Sequence, residues 1–561
     1  MSRFFRSSTP HPLPRAGEGG SWYWLSPFVR NIGMNEKRKI AQAASIIGGA
    51  TLLSRIFGFI RDMVVAQLFG AGGVTDAFFV AFRIPNLLRR LVGEGSLTAS
   101  FIPVYSEYIH QKSKEEGDEL VSASFSVLTI LLILLTGLGI LFSPFIIKIM
   151  AYGFSLEPEK FKLTVWLTRL MFPYIFFIGL VALAMGVLNS WKHFAAPALA
   201  PVLLNVAIIA CALLLAGVFK EPITSLAIGV LVGGMVQLLF QVPFIRRKKI
   251  KVRFLFRPFH PGVKRIGLLM APSVLGLGVT QLNVLMSTLL ASYLPEGSVS
   301  YLYYADRLLE FPMGIFAIAI ASAILPTMSE QATQNDLPGM KETLSFALRF
   351  VFFVTLPAMI GLMVLRLPII NLLFQRGAFS AHSAAMTSQA LLYYALGLAA
   401  FAGIRIIVPA FYSLQDTQTP VKVAFLALLV NAGFGAILMI PLQHGGLALA
   451  TSVAAGLNFA LLVILLKRKL GRMGARKILL SFCRSLVASV AMGVVAYLIC
   501  LGDLWQTSGA TLEKILRLLA SVLAGIFVYG GAGYLLGSEE FHSTLQIIKQ
   551  KTAFYRSRLT S

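Results

Sequence analysis

The chain has 561 residues, of which 57% are apolar and only 13% are charged, and its formal net charge at pH 7 is +25. A soluble domain usually contains about 25% charged residues, so a water-soluble globule of this composition could not cover its own surface. The composition therefore excludes a cytosolic enzyme and predicts a polytopic membrane protein, because each spanning helix needs about 20 mostly apolar residues. The apolar runs are continuous rather than alternating, which excludes a membrane β-barrel.

Residues 1–33 differ in composition from the rest of the chain. They contain four prolines and a glycine-rich run, without an apolar stretch long enough for a signal peptide. Met34 begins a second plausible start, MNEKRK, directly before the first apolar segment. We therefore expect residues 1–33 to be a disordered extension or a misassigned start that lies outside the fold.

Apolar segments between polar breaks predict fourteen membrane-spanning helices, so the expected fold is an all-α polytopic membrane protein. Spans 1, 2 and 8 are the least apolar of the set. In chain order, the expected spans are 41–69, 75–93, 121–148, 163–188, 197–219, 224–245, 265–294, 300–328, 344–366, 383–412, 420–441, 446–466, 481–501 and 514–537.

Lysine and arginine are concentrated in loops on one side of the membrane. Nine of them lie within residues 246–265, between spans 6 and 7, and six lie within residues 467–477, between spans 12 and 13. Because basic loops normally remain in the cytoplasm, we expect both termini to be cytoplasmic. Because this clustering indicates that the positive charge sets the membrane topology, we expect no nucleic acid partner.

An internal repeat with one constant offset relates two parts of the chain. PVYSE at 103–107 recurs as PTMSE at 326–330, and at the same offset Leu226–Ala227 maps onto Leu449–Ala450. Because six spans separate the copies, both halves share one topology. We therefore expect two pseudosymmetric six-helix bundles in a parallel repeat, of the kind that rocks about a midplane site in transporters.

This repeat predicts the domain organisation. The N-terminal lobe is expected at 34–250 with spans 1–6, and the C-terminal lobe at 251–470 with spans 7–12. Residues 471–561 are expected to form an appended helix pair, spans 13 and 14, followed by a basic cytoplasmic tail.

Signatures of catalysis, nucleotide binding and metal binding are missing from the sequence. It contains no Gly-Lys dipeptide and hence no Walker A loop, and it contains neither HExxH nor GxSxG. The seven histidines lack metal-ligand spacing. Cys211, Cys483 and Cys500 lie in apolar stretches, where we expect membrane-buried thiols. We therefore expect no catalytic residue, no metal site and no cofactor.

Charges inside the spans carry most of the functional information, because an ionised side chain at the bilayer centre costs about 2.5–3.5 kcal/mol on insertion scales. Four arginines stand out because they exceed what the nearby acids neutralise, and the guanidinium fork suits phosphate. They are Arg55 and Arg61 in span 1, Arg89 in span 2 and Arg307 in span 8. We interpret them as the lining of a cationic, water-filled cavity between the halves, with an anionic ligand.

The alternative interpretation is that these charges form internal salt bridges or snorkel to the membrane surface. We favour it for Arg83, Arg90 and Glu94, which lie near helix ends. For Asp62, Asp76 and Glu310 we expect a mixed role, mainly in holding arginines in place.

Several long motifs resemble the MurJ (MviN) lipid II flippases, which belong to the multidrug, oligosaccharidyl-lipid and polysaccharide exporter superfamily. The resemblance extends from about residue 36 to about residue 540. The motifs are SRIFGFIRD, FGAGGVTDAFFVAFRIPNLLRRL, EGSLTASFIPVYSEY, YYADRLLEFPMGI and FYSLQDTQTPVK.

The resemblance implies a flippase of the bacterial inner membrane that moves undecaprenyl-pyrophosphate-linked disaccharide-pentapeptide, lipid II, to the outer leaflet for peptidoglycan synthesis. It implies transport without ATP hydrolysis, driven by the membrane potential or an ion gradient. Membrane lipids and the cell-wall synthesis machinery are further implied partners. Spans 13 and 14 would form a groove for the polyprenyl tail. The family's cavity arginines fall on Arg55, Arg61, Arg89 and Arg307, and its acidic positions on Asp62, Asp76, Glu94 and Glu310.

Ion coupling is left open by the sequence. A sodium site described for some members of the family uses acidic and amide side chains in spans 7 and 11. Here span 7 offers only Asn283, and Asp416 lies near a helix end.

Three rival functions remain. A multidrug exporter of the same superfamily would be expected to have an acid-rich, aromatic cavity, and another lipid-linked oligosaccharide flippase is disfavoured by the motifs of spans 1 and 2. A membrane glycosyltransferase acting on polyprenyl phosphate would need a carboxylate or metal constellation in a loop, which the sequence does not show.

Overall fold

A computed structural model describes residues 34–89, 96–505, 509–546 and 550. Within these residues the chain forms α-helices joined by turns and loops, with 3₁₀-helical turns at Tyr152–Leu156 and Asp503–Trp505. The predicted extension, residues 1–33, lies outside the described residues, as do Arg90 and Glu94.

The first part of the chain contains eight helices with these bounds: α1 Met34–Phe69, α2 Gly73–Leu88, α3 Leu97–Gln111, α4 Lys114–Met150, α5 Pro158–Met171, α6 Tyr174–Ser190, α7 Ala195–Leu215 and α8 Thr224–Arg247. Local chemistry fixes several of these starts. Ser113 caps α4 by accepting a hydrogen bond from the Glu116 backbone N–H at 3.1 Å. Pro158 occupies the first turn of α5, where its missing N–H costs nothing.

The second part contains α9 Pro261–Ala291, α10 Ser298–Pro312, α11 Ile318–Thr333, α12 Leu337–Val364, α13 Arg366–Phe374, α14 Ala381–Ala395, α15 Leu398–Ser413, α16 Gln418–Leu442 and α17 His444–Leu470. A π-helical turn, Met313–Ala317, joins α10 to α11. It directly follows Pro312, whose missing N–H interrupts the α-helical bonding pattern. Two further helices follow, α18 Ala475–Cys500 and α19 Thr511–Leu535.

The helix boundaries repeat with the same offset in residue number that relates PVYSE at 103–107 to PTMSE at 326–330. At that offset, the starts of α4, α5 and α7 map onto the starts of α12, α14 and α16, and the ends of α6 and α8 map onto the ends of α15 and α17. The predicted all-α architecture of two repeated helix sets and an appended pair is confirmed. We call the helices α1–α8 the first repeat and α9–α17 the second repeat. The lobe boundaries at residues 250 and 470 stay a prediction.

The number of membrane spans is confirmed only in part. In the described part of the chain, nine helical segments are long and apolar enough to cross a membrane, and the pair α14 and α15, bent by 43°, makes a tenth. These ten correspond to predicted spans 3–6 and 9–14. Spans 1, 2, 7 and 8 stay predictions. Span 2 is described only in part, by α2 and Arg89, because residues 90–93 lie outside the described residues.

The two repeats share one apolar core. Phe79 of α2 stacks on Tyr303 of α10 with ring centroids 3.9 Å apart, and Tyr304 meets Phe79 edge-on at 5.6 Å. Near the turns that follow α1 and α13, the Ala378 backbone N–H donates to the Gln67 carbonyl at 2.8 Å. The first repeat is thus closed against the second at this end of the molecule.

The appended helices pack on the second repeat. The Tyr529 hydroxyl of α19 donates to the Phe353 carbonyl of α12 at 2.6 Å. Arg349 of α12 pairs with Glu539 at 2.5 Å and with the buried Glu540 at 2.9 Å. Thus α19 and the segment after it are anchored to α12. The three cysteines are free thiols; Cys500 is buried in the protein and Cys483 lies on the surface of α18, so their burial in the membrane stays a prediction.

Candidate functional site

A charged network lies where α1 meets α7 and α10. Arg61 donates from Nη2 to Asp62 Oδ1 at 2.6 Å and to the Tyr303 hydroxyl at 2.9 Å. Its Nη1 donates to Asn205 Oδ1 at 3.1 Å. Asp62 is 1% exposed and Arg61 is 8% exposed. The guanidinium is therefore fixed by groups from both repeats, and its charge is compensated by a buried carboxylate.

Arg307 extends this network from the second repeat. Its Nε donates to Asp62 Oδ2 at 2.8 Å, and its Nη1 donates to Glu310 Oε2 at 2.7 Å. Gly58 permits this approach, because a Cβ at that position would lie 3.3 Å from Arg307 Nη2. The structure thus brings Arg61 and Arg307 together on opposite oxygens of one carboxylate. Two of the predicted supporting acids, Asp62 and Glu310, contact these arginines.

Arg55 meets the second repeat at the π-helical turn. Its side chain is exposed, and its guanidinium occupies the space that a Cβ of Gly314 would fill. The π-helical turn is a form often found at functional sites. Gly314 therefore makes room for an arginine of the other repeat.

Arg89 lies at the end of α2. Its Nε and Nη2 donate to Asn86 Oδ1 at 3.0 and 2.9 Å, on the same helix. The acidic position Glu94, predicted to support this region, lies outside the described residues. The structure therefore places Arg89 directly after the last residue of α2 and shows a local partner for it.

Asp76 binds the start of α10 rather than the expected arginine. The sequence predicts that it holds an arginine, but its carboxylate accepts from the backbone N–H groups of Gly297 at 2.7 Å and Ser300 at 2.8 Å, and from the Ser300 hydroxyl at 2.6 Å. The first N–H groups of a helix lack partners within the helix, so a carboxylate stabilises them. Asp76 of the first repeat thus caps α10 of the second.

A cavity of about 780 Å³ lies within the second repeat, between α10, α11 and α14–α17. Among the described residues that line it, the charged ones are Asp306 and Glu310 of α10 and Arg405 of α15. The sequence predicts a cationic cavity between the halves. In the structure, Asp62 lies between Arg61 and Arg307 at the interface of the repeats. The cavity beside them has lining residues of both charges. Arg405 was not among the predicted site residues, although a lone arginine in the apolar stretch FAGIRIIVP is a signal for it.

Comparison with known proteins identifies the family. A family model described as lipid II flippase MurJ matches residues 65–519, most of the chain. The chain belongs to this family.

Individual relatives agree with this assignment. A probable lipid II flippase MurJ from Vibrio cholerae is 40% identical over 432 residues, which cover 76% of this chain and 82% of the relative. A solved structure of lipid II flippase MurJ in an inward closed conformation is 29% identical, with a TM-score of 0.73, and the match covers 89% of this chain and 99% of that one.

A multidrug resistance MATE family transporter in an inward-facing conformation shares the fold. Its structure has a TM-score of 0.59 at 16% identity, covering 76% of this chain and 98% of that one. At this identity the likeness concerns the fold alone.

The sodium site of some MurJ proteins can be tested on the residues present here. Asn431 Nδ2 of α16 donates to Asn283 Oδ1 of α9 at 2.8 Å, and the Thr451 hydroxyl donates to Asn431 Oδ1 at 3.3 Å. A small cavity of about 190 Å³ beside them has no carboxylate among its described lining residues. Because the amides satisfy each other and no anionic oxygen is present among those residues, this cluster does not fit a sodium ion.

Asp416, the other candidate, is committed elsewhere. It lies between α15 and α16, where its Oδ2 is 2.5 Å from Lys469 Nζ and accepts from the Thr419 hydroxyl at 2.6 Å. These hydrogen bonds hold the pKa of the Asp416 carboxyl well below its usual range. Among the residues that the structure describes, no three His, Cys, Asp or Glu side chains form a group suited to a metal ion.

Proposed function

We propose that this multi-pass inner membrane protein translocates lipid II, the undecaprenyl-pyrophosphate-linked disaccharide-pentapeptide, from the cytoplasmic to the outer leaflet. Membership of the MurJ family supports the substrate. The observation that carries the mechanism is the bridge from Asp62 to Arg61 and Arg307, which joins one arginine from each repeat.

The arginines bind the pyrophosphate by exchanging their carboxylate partners for phosphate oxygens. A pyrophosphate carries about two negative charges and must cross a layer where one charge costs several kcal/mol. Asp62 and Glu310 keep Arg61 and Arg307 paired until the pyrophosphate binds, because an unpaired buried charge is strongly destabilising. Phosphate oxygens then replace these carboxylates in the same bidentate geometry. Arg55 and Arg89 add positive charge along the path.

Alternating access follows from rocking of the two repeats. The Asp76 carboxylate accepts hydrogen bonds from the start of α10, and the Gln67 carbonyl accepts one from Ala378, so the repeats meet at the turns after α1, α9 and α13. With both termini cytoplasmic, these turns lie on the outer side, so the contacts form the outer gate. They break when the site opens outward, while Arg61 and Arg307 remain on the ligand.

The membrane potential drives the cycle without ATP hydrolysis. The cell interior is negative, so an anion moving outward gains about 2.3 kcal/mol per charge for each 100 mV. A pyrophosphate of about two charges gains about twice that amount. The amide cluster of Asn283 and Asn431 gives sodium no carboxylate ligand, so coupling to the electrical gradient is the mechanism that fits these residues.

The polyprenyl tail lies along the appended helices. Large apolar side chains of α19 are exposed, with Phe527 at 79% and Leu535 at 84%. A long hydrocarbon chain covers such a surface while the head group occupies the charged site. The cell-wall synthesis machinery then consumes the product in the outer leaflet.

Depletion of the protein tests the proposal directly. Lipid II should accumulate in the inner leaflet, and purified protein in vesicles should make lipid II accessible to an external probe when the interior is negative. A rival multidrug exporter would instead move cationic drugs and leave lipid II in place. A glycosyltransferase would yield a new glycosidic product, which neither assay should contain.

A further inference from the structure

We propose that the cavity of the second repeat binds the peptide portion of the translocated lipid, with Arg405 holding a peptide carboxylate. This inference rests on the proposed function and assigns a part of the substrate to a site separate from the arginine pair.

Arg405 is unusual among the charges of the membrane region. It lies in the middle of α15, followed by the fully buried Ile406 and Ile407, yet its own side chain is exposed and lines the cavity. Within the described residues, it has neither a hydrogen bond nor an ion pair to its side chain. Arg61 and Arg307, by contrast, each have a carboxylate partner. An arginine within a predicted span that lacks a direct partner is costly and therefore points to a ligand that supplies one.

The remaining lining fits a peptide better than a second phosphate. Asp306 and Glu310 bring negative charge to the same cavity, which disfavours a polyanion there. Asn458 presents a buried Oδ1 that lacks a donor within the described residues. A peptide offers N–H donors for this oxygen and one terminal carboxylate for Arg405. The volume, about 780 Å³, lies in the range of about 300–1,000 Å³ that small ligand sites occupy.

The position of the cavity also matches the order of groups in the substrate. Glu310 lines the cavity and accepts from Arg307 at 2.7 Å, so the cavity begins at the arginine pair. A pyrophosphate held by Arg61 and Arg307 therefore has its sugar-peptide side at the cavity entrance. The head group extends into the second repeat, and its terminal carboxylate reaches Arg405.

The test compares two ligands on the full-length protein in lipid nanodiscs: lipid II, and lipid II whose terminal peptide carboxylate is converted to the amide. Wild-type protein should bind lipid II about 10- to 100-fold more tightly than the amide, as expected for a charge-assisted hydrogen bond. Arg405→Gln and Arg405→Ala should bind both ligands with equal affinity, at the level of the wild type with the amide. Arg405→Lys should restore part of the preference.

A matched control and the contrary outcomes separate the two proposals. Arg468→Ala, in the predicted cytoplasmic loop, should keep the wild-type preference. If wild-type protein binds both ligands equally well, or if loss of Arg405 weakens both ligands by the same factor, the peptide site is wrong while the flippase proposal stands. If wild-type protein binds neither ligand, the proposed function itself fails.

Discussion

Asp62 and Arg307 form an ion pair between the two repeats, with Asp62 Oδ2 lying 2.8 Å from Arg307 Nε. The pair joins α1 of the first repeat to α10 of the second, and rocking is proposed between these two repeats. Because Asp62 is 1% exposed and also binds Arg61, one buried carboxylate compensates two guanidinium groups. The contact between the repeats at this point therefore depends on Asp62 more than on Glu310, which pairs with Arg307 alone.

Asp62→Asn should destabilise the protein and abolish translocation. Removal of one partner from a buried ion pair costs about 3–5 kcal/mol, because the remaining charge is left uncompensated. The free energy of unfolding in detergent measures the first effect, and a lipid-accessibility assay measures the second. The matched control is Glu310→Gln, whose carboxylate is about half exposed and should contribute less than about 1 kcal/mol. A D62N protein as stable as the wild type would contradict the bridging role.

Alanine at each of Arg55, Arg61, Arg89 and Arg307 should abolish complementation of a flippase-depleted strain while protein levels stay near normal. The reason is the loss of positive charge that accompanies the pyrophosphate through the membrane. Lysine should substitute poorly at Arg61 and Arg307, because it cannot reproduce the two-pronged contact.

The controls for this set lie in the predicted cytoplasmic loops. Arg246→Ala and Arg468→Ala should be tolerated, because neighbouring basic residues preserve the topology. Normal lipid II translocation by all four site variants would overturn the arginine mechanism. Inactive variants with low protein levels would instead indicate that the arginines are only structural salt-bridge partners.

Gly314→Ala should displace Arg55 without unfolding the protein. The added methyl group would overlap the guanidinium, which is the flexible end of its side chain and can move aside. We expect the unfolding free energy to change by less than about 1 kcal/mol. Translocation should fall about tenfold or more, since small misplacements of binding groups have large effects. Gly433→Ala, which meets no atom within 4 Å, should leave both measurements unchanged; equal activity of the two variants would exclude a role for the Arg55 contact.

Asp76→Ala should weaken the start of α10 rather than substrate binding. Loss of a helix cap costs about 0.5–2 kcal/mol, and the three bonds that Asp76 accepts favour the upper end of that range. Ser300→Ala removes one of these bonds and should have a smaller effect. Unfolding measurements should rank the two variants in this order, with lipid II affinity preserved in both. A large loss of lipid II affinity in D76A would instead show that Asp76 takes part in substrate binding.

The sequence predicts the class of fold well for two reasons. The length of the apolar runs follows from the thickness of the membrane, and the constant offset follows from the internal repeat. It also selects Arg61, Asp62, Arg307 and Glu310, since charges in apolar segments are costly enough to require a reason. It cannot reveal that Asp76 caps a helix of the other repeat, because that contact depends on how the repeats dock. It likewise does not predict α3, whose residues lie between predicted spans 2 and 3.

The membrane orientation remains a prediction from the basic loops, and a pair of cysteine substitutions tests it. In a background with Cys211, Cys483 and Cys500 replaced by serine, Lys251→Cys should resist an impermeant thiol reagent applied to intact spheroplasts. Lys220→Cys should react readily, because it lies between α7 and α8, on the opposite side of the membrane. Both positions are exposed, so a difference in labelling reports sidedness rather than burial. Labelling at 251 but not at 220 would show that the topology is the reverse of the predicted one. The turns near Gln67 and Ala378 would then form the cytoplasmic gate.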